Sequence, residues 1–512
     1  MRRRDMLASG AALLALPAAL RADESAPAPG ESFAVPAWYR DAKLGIWAHW
    51  GPQCAPEAGD WYGRHLYLED HPQAAVHRRL YGHPADNGFI PVIEGWKAEA
   101  WDPDAVFGAY ARAGARFLVA MACHHDNFDL FASTHHGWNS TRLGPKRDIV
   151  GGWAAAARRI GLPFGVSNHA SHAWHWWQTA YGYDTVGPRQ GERYDAFRLT
   201  AADGRGREWE GLDPQQLYTG PRMVPPDGLD NPEAMRAWHD AHSGQWVETV
   251  PPGDRAWALH WLARQMELVD RYQPDFVYLD GYSLPFGDIG AAAAAHFYRA
   301  AMQRTGEFSG VMSAGFTEGQ GTLVNLERRA AEGIRPEPWQ TATCIGDWHY
   351  NRGRFLDRSY VPAREVLRQL ADVVAKNGTL LLSVPVRGDG TLDELELEIL
   401  AGLGTWMARE GEAAIYGSRP WRTFGEEAGG GVRYTANGGA LHALLLDPRP
   451  GPLRLAALGW DALGGGAIER VTLAGEPLGF GASPAALEIA LPDGIERWTV
   501  PVLRIDGRIP PA

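Results

Sequence analysis

Four short stretches of the 512-residue chain place imidazole and carboxylate side chains where a buried strand should give way to a loop. His49 is followed by Trp50 and Gly51; His124, His125 and Asp126 are consecutive; His169 precedes Ala170, Ser171 and His172; Tyr278, Leu279, Asp280 and Gly281 form the fourth. Gathered at one mouth, these residue types support two chemistries. Histidines with carboxylates can hold a metal ion. Adjacent His124 and His125 point to opposite sides of an extended strand, however, and no His-x-His pair sits at a strand end, so the pattern predicts no metal. In the other chemistry, neutral imidazoles and indoles hold sugar hydroxyls while Asp280 and a second carboxylate do the work of glycoside hydrolysis. The 22 Trp of the chain favour this one. Each indole offers a flat apolar face and one donor, which suits the apolar C–H faces of sugar rings.

The elements that must position these groups alternate short apolar runs with helical patterns from Trp38 to about Pro420, the rhythm of βα units around a parallel sheet. Strands are expected at Leu44–His49, Arg116–Ala122, Pro163–Asn168, Phe276–Asp280, Thr322–Glu327, Thr341–Gly346 and Thr379–Val384. Helices are expected at Pro103–Ala113, Trp153–Ile160, Asp254–Tyr272, Ile289–Thr305, Ala363–Lys376 and Leu392–Arg409. Seven strands and no dinucleotide or phosphate-loop motif favour an α/β fold, a (β/α)8-like barrel with one weakly marked strand, over an open doubly wound sheet. Ala173–Pro252, rich in Trp, Gly and Asp, reads as an insertion over the barrel face. After Trp421, short alternating runs separated by Gly and Pro predict a C-terminal antiparallel β-sandwich. The expected units are therefore 37–420, a barrel, and 421–512, a sandwich.

Composition narrows the partners. A net charge of −12 argues against nucleic acid, which needs a basic surface. Arg2, Arg3 and Arg4 precede an apolar run from Leu7 to Leu20, and Ala22 offers a small residue for cleavage. Residues 1–22 thus read as a signal peptide, twin-arginine-like, with 23–36 as a linker. The expectation is a periplasmic or secreted bacterial protein with no membrane insertion. Cys54, Cys123 and Cys344 permit at most one disulfide and form no metal or redox motif.

Three longer stretches carry a family resemblance. Trp38 to Pro52 (WYRDAKLGIWAHWGP) resembles the start of glycoside hydrolase family 29, the retaining α-L-fucosidases. So do His124 to Phe131 (HHDNFDLF) with Trp138-Asn139, and Asp372 to Ser383 (DVVAKNGTLLLS), continuing through Arg387 to Thr391 and Gly411 to Trp421. The resemblance implies a barrel with a C-terminal sandwich, double displacement, no cofactor, and a fucosylated oligosaccharide or polysaccharide as substrate. By position, Asp280 matches the family nucleophile, and His49, His124 and His125 match residues that hold fucose hydroxyls. Trp50, Glu57, Trp61, Trp138, His169, Tyr278 and Trp348 complete the expected sugar-binding set.

The acid/base has no such match. Many members carry Glu after a Trp before the sixth strand, where this chain has Trp339-Gln340, and Gln cannot transfer a proton. Glu327, at the end of the expected fifth strand, is the choice, with Glu332, Glu337, Glu318 and Glu57 as alternatives. Pairing with the adjacent Arg328 would lower its pKa and count against a general acid. Two other readings stay open: a hydrolase of a different, fucose-like glycoside, and a carbohydrate-binding protein without turnover.

Overall fold

The computed structural model describes residues 33–510, so the expected signal segment and most of the linker lie outside the described residues. Seven parallel strands form the central sheet: β1 Leu44–Ala48, β2 Phe117–Cys123, β3 Phe164–Asn168, β4 Phe276–Leu279, β5 Val311–Ser313, β6 Trp339–Cys344 and β7 Gly378–Ser383. They are ordered β5-β4-β3-β2-β1-β7-β6, so the sequence wraps round and leaves β5 and β6 at its two edges. The strands are apolar almost throughout, as Phe117–Cys123 (FLVAMAC) shows, because helices cover the outside while side chains fill the inside.

The gap between the two edges is filled by Thr322–Arg328. A strand was expected at Thr322–Glu327, and the structure shows single parallel bridges instead, Ser313 to Leu323 on one side and Asn325 to Gln340 on the other. Leu323 N donates to Met312 O at 2.7 Å, while Leu326 N donates to Gln340 O and Gln340 N to Val324 O, each at 2.8 Å. The barrel therefore closes through an irregular eighth stave. The strand that sequence reasoning missed is β5, three residues between Gly310 and Gly315.

Long helices pack outside: Pro103–Arg112, Ile149–Ile160, Arg255–Tyr272, Asp288–Thr305, Ala363–Ala375 and Glu394–Trp406. Asp254 caps the third of these by accepting from Trp257 N, which fixes the register that aims Arg264 inward. Arg264 is buried against Asp129, with Nη2 2.6 Å from Oδ1, and also donates to Asn127 Oδ1 at 2.7 Å. The loop after β2, which carries His124 and His125, is pinned by this ion pair.

The C-terminal region comprises β8 Arg419–Glu426, β9 Val432–Asn437, β10 Ala440–Leu445, β11 Gly451–Leu455, β12 Ala467–Leu473, β13 Glu476–Pro477, β14 Phe480–Ala482, β15 Leu487–Leu491 and β16 Val502–Arg508. A six-stranded sheet (β13-β12-β16-β10-β9-β8) and a three-stranded one (β11-β15-β14) enclose a core that includes Tyr434, Leu441, Leu453, Ile489 and Leu503. Trp406 Nε1 donates to Val500 O at 2.9 Å, and Arg433 pairs with Asp372 at 2.6 Å, docking this region on the barrel helices. Among the described residues no helix is long and apolar enough to cross a membrane. The three cysteines are buried and unpaired.

Candidate active site

A cavity of about 630 Å³ opens at the C-terminal ends of the strands. Trp47 and His49 share one face of the first βα stretch by period-two alternation. Their rings stack at 3.9 Å, and His49 Nδ1 lies 3.1 Å from Ser383 Oγ at the end of β7. Past β2 the chain leaves strand geometry, with a register shift against β3 between Met121 and Cys123. His124 and His125 therefore do not splay apart as an extended strand would require; both line the cavity, ring centroids 4.3 Å apart. His124 Nδ1 meets Gln53 Nε2 at 2.7 Å. His169, from the turn after β3, meets Ser167 Oγ through Nε2 at 2.6 Å.

Asp280 follows β4 at the cavity floor. His125 Nε2 is 3.2 Å from its Oδ2, and His169 Nδ1 lies 3.6 Å from the same oxygen. His125 Nδ1 is 3.0 Å from His169 O, a carbonyl that can only accept, so Nδ1 carries a hydrogen. A neutral ring would then turn the Nε2 lone pair toward the carboxylate. Burial pulls the His125 imidazole down and outweighs the hydrogen bond and charge of Asp280, which pull it up, so the net shift is downward. Burial alone would raise the Asp280 carboxyl, but His169, His125 and His172 hold it well below the usual carboxylate range. Burial pulls the His169 imidazole itself down to about 3, against the charge of Asp280, which pulls it up.

Glu327 lines the same cavity from the closing stave. Burial first, then the negative charge of Asp280, push its carboxyl up to about 7, while Arg328 opposes the shift. Arg328 does not cancel it, because its Nη2 donates to Cys344 Sγ at 3.2 Å and its guanidinium lies over the Trp348 ring. The result is one carboxylate that stays ionised and one that carries a proton near neutral pH, the arrangement by which environment assigns acid and base roles.

Of the expected residues, His49, Trp61, His124, His125, His169, Tyr278, Asp280, Glu327 and Trp348 are brought together at this cavity. Three are not. Trp50 faces away from His49 and packs outside the barrel on Trp96, Trp101 and Trp153, with Nε1 donating to Arg387 O. Trp138 is buried against Trp209, with Nε1 donating to Asp213 O. Glu57 pairs with Arg352 at 3.2 Å. Among the alternative acids, Glu318, Glu332 and Glu337 line a separate cavity of about 780 Å³ beside Phe33. Gln340 is fully buried in β6 and bonds to Tyr39 Oη and Asn325 Oδ1. It belongs to the barrel core.

Sequence reasoning missed Asp60, Trp246, Glu248 and His349, and noted His172 at a strand end without giving it a role. Asp60 stands beside Trp61 and accepts from His349 N at 2.7 Å; burial raises its carboxyl and His349 outweighs that, so it is lowered. Its place next to Trp61 was the available signal. Trp246 and Glu248 come from the insertion and had none. Trp246 stacks on His172 at 4.3 Å, and Glu248 accepts from Tyr282 N at 2.7 Å. Trp47 Nε1 is buried without a hydrogen-bond partner among the described residues, while His172 Nε2 faces Glu248 Oε2 at 3.3 Å and His349 Nδ1 faces Asp60 Oδ1 at 3.6 Å. Two trios, His124-His125-His169 and His125-His172-Asp280, have donor atoms within 4.8 Å of one another, spacing that could hold a metal ion.

A barrel whose strand-end cavity combines one ionised and one protonated carboxyl with imidazole donors and indole walls defines a glycoside hydrolase. Comparison with known proteins narrows this. The family model described as alpha-L-fucosidase matches residues 21–412, and the chain belongs to that family. It is similar to tissue alpha-L-fucosidase of Homo sapiens, 25% identical over 431 residues, covering 83% of this chain and 78% of the human protein. Among solved structures, Thermotoga maritima alpha-fucosidase in complex with a mechanism-based inhibitor aligns with TM-score 0.68 at 24% identity, covering 92% of this chain and 97% of that one. Alpha-L-fucosidase isoenzyme 1 from Paenibacillus thiaminolyticus aligns with TM-score 0.62 at 21% identity, over 92% and 98%.

Proposed function

We propose that the protein hydrolyses terminal α-L-fucosyl residues of glycans with retention of configuration. The observation that carries this is the split pair: Asp280 held ionised and Glu327 held near pH 7 in one cavity. Asp280 attacks the anomeric carbon while Glu327 gives its proton to the departing glycosidic oxygen. Glu327, now a carboxylate, then takes a proton from the water that displaces Asp280. The imidazoles of His49, His124 and His169 meet sugar hydroxyls, and burial keeps them neutral: His49 and His124 lie well below the usual imidazole range. Trp47, Trp61, Tyr278 and Trp348 supply apolar walls. The arginine-led N-terminal segment supports export as part of the same reading.

The rival view, a sugar-binding protein without turnover, drew on Gln340. That residue is core packing rather than a lost acid, so the rival loses its support. The test is release of nitrophenol from 4-nitrophenyl α-L-fucoside, with proton NMR of the first sugar formed. Wild-type release that gives the α anomer first and vanishes in Asp280→Ala is the expected result. A β first product refutes double displacement, and cleavage of other nitrophenyl glycosides but not the fucoside refutes the substrate.

A further inference from the structure

Tyr282 is the exposed ring of the cavity wall: it is 51% exposed, whereas the other rings lining the cavity are buried or half-buried. An exposed tyrosine two residues past the nucleophile would ordinarily sit on a mobile loop. This one is built in. Its N–H donates to Glu248 Oε1 at 2.7 Å, and its carbonyl accepts from Phe316 N at 3.1 Å, Thr317 N at 3.2 Å and Thr317 Oγ1 at 2.8 Å. Gly315, at φ 70°, passes so close beneath that a Cβ there would collide with the Gly281 oxygen and the Tyr282 backbone. The ring itself stacks on Phe316, centroids 5.6 Å apart and planes 29° from parallel.

The position of this ring relative to the chemistry says what it meets. Arg329, two residues beyond Glu327, lies over the other partner, Phe316, at 5.1 Å. Tyr282 and Glu327 line the same cavity, so the exposed ring shares its wall with the carboxyl assigned to protonate the glycosidic oxygen. The fucosyl ring itself is served by the imidazoles and indoles across the floor. A rigid aromatic face suits a ring that is apolar on one face and hydroxylated around its rim.

Resting on the fucosidase reading, we infer that Tyr282, backed by Phe316, is a binding platform for the sugar to which the fucose is attached, so that the leaving group the site is built for is a pyranose of an oligosaccharide. Binding of that remote ring lowers the barrier for cleavage, since contacts away from the reacting bond contribute to transition-state stabilisation. Tyr282 acts as a specificity residue and takes no part in the bond changes.

The test compares a fucosyl disaccharide with α-L-fucosyl fluoride, which has no leaving sugar, in wild type, Tyr282→Ala and Tyr282→Phe. The readout is the ratio of kcat/KM for disaccharide to kcat/KM for fluoride, which cancels any loss of folded enzyme. The expected result is a ratio about tenfold lower in Tyr282→Ala, the scale of losing one half-covered aromatic face, and restored in Tyr282→Phe. A ratio unchanged in Tyr282→Ala, with wild type active on both substrates, overturns the platform alone. Wild type inert on both substrates refutes the fucosidase reading and the platform with it.

Discussion

If Glu327 is the proton donor, the rate must follow its protonation, and the structure says where. A carboxyl at its ordinary value of 4.5 is protonated in about one molecule in 300 at pH 7, whereas one at about 7 is protonated in about one of two, so the cavity raises the competent fraction about 150-fold. Asp280 stays ionised across this range because its carboxyl is held low. The expected profile of kcat/KM for a fucosyl disaccharide, measured from pH 5 to 9, is therefore a single descent on the alkaline side with a midpoint near 7, to about a tenth at pH 8 and about a hundredth at pH 9. Glu327→Gln should remove that limb and lower kcat/KM for the disaccharide about 10²–10⁴-fold, while sparing kcat/KM for a dinitrophenyl fucoside, whose leaving group needs no proton. A midpoint near 4.5 would refute the argument from burial and charge. An equal loss on both substrates would refute the assignment of Glu327.

The same carboxyl carries a cost in stability. Its folded-state pKa is raised, so the stability tied to protonation is complete below about 4.5 and lost as pH climbs toward 7; Glu327→Gln should stabilise the fold by about 1–3 kcal/mol at pH 8 and by little at pH 4.5, read from denaturant midpoints. Arg264→Met leaves Asp129 buried without its partner and should cost about 3–5 kcal/mol in urea unfolding. Gly281→Ala places a Cβ against the Glu248 carboxylate at φ 138°, so kcat should fall at least tenfold with far-ultraviolet dichroism unchanged. Glu57→Gln should leave kcat/KM within about twofold, because an exposed pair with Arg352 contributes little.

Much of the barrel was legible because parallel strands buried on both faces must be apolar runs, and six of them stand out in that way. β5 did not, since three residues beside Gly310 carry too little pattern, while Thr322–Glu327 alternates like a strand yet forms only one bridge to each neighbour. At the site, strand ends revealed the histidines and Asp280. Trp50 was misplaced although the period of two settles it: if His49 faces inward, its neighbour faces out. His124 and His125 reversed that lesson, because a bulge before them cancels the alternation. Trp138 and Glu57 sit in loops whose direction no period governs. Trp246, Glu248 and their contacts with His172 and Tyr282 were out of reach, since an irregular insertion returns to the cavity only through tertiary packing.

The irregular eighth stave has a consequence for how such a site varies between proteins. A one-residue slip in a paired strand turns every side chain to the opposite face, so residues on β4 are locked in step with β3 and β5 on both sides. Asp280, one residue past β4, inherits that lock. The stretch bearing Glu327 is held by isolated bridges, and a residue gained or lost ahead of it can be absorbed without unzipping a ladder. The nucleophile can therefore be found by counting along a strand, while the proton donor can drift in sequence and still reach the same oxygen.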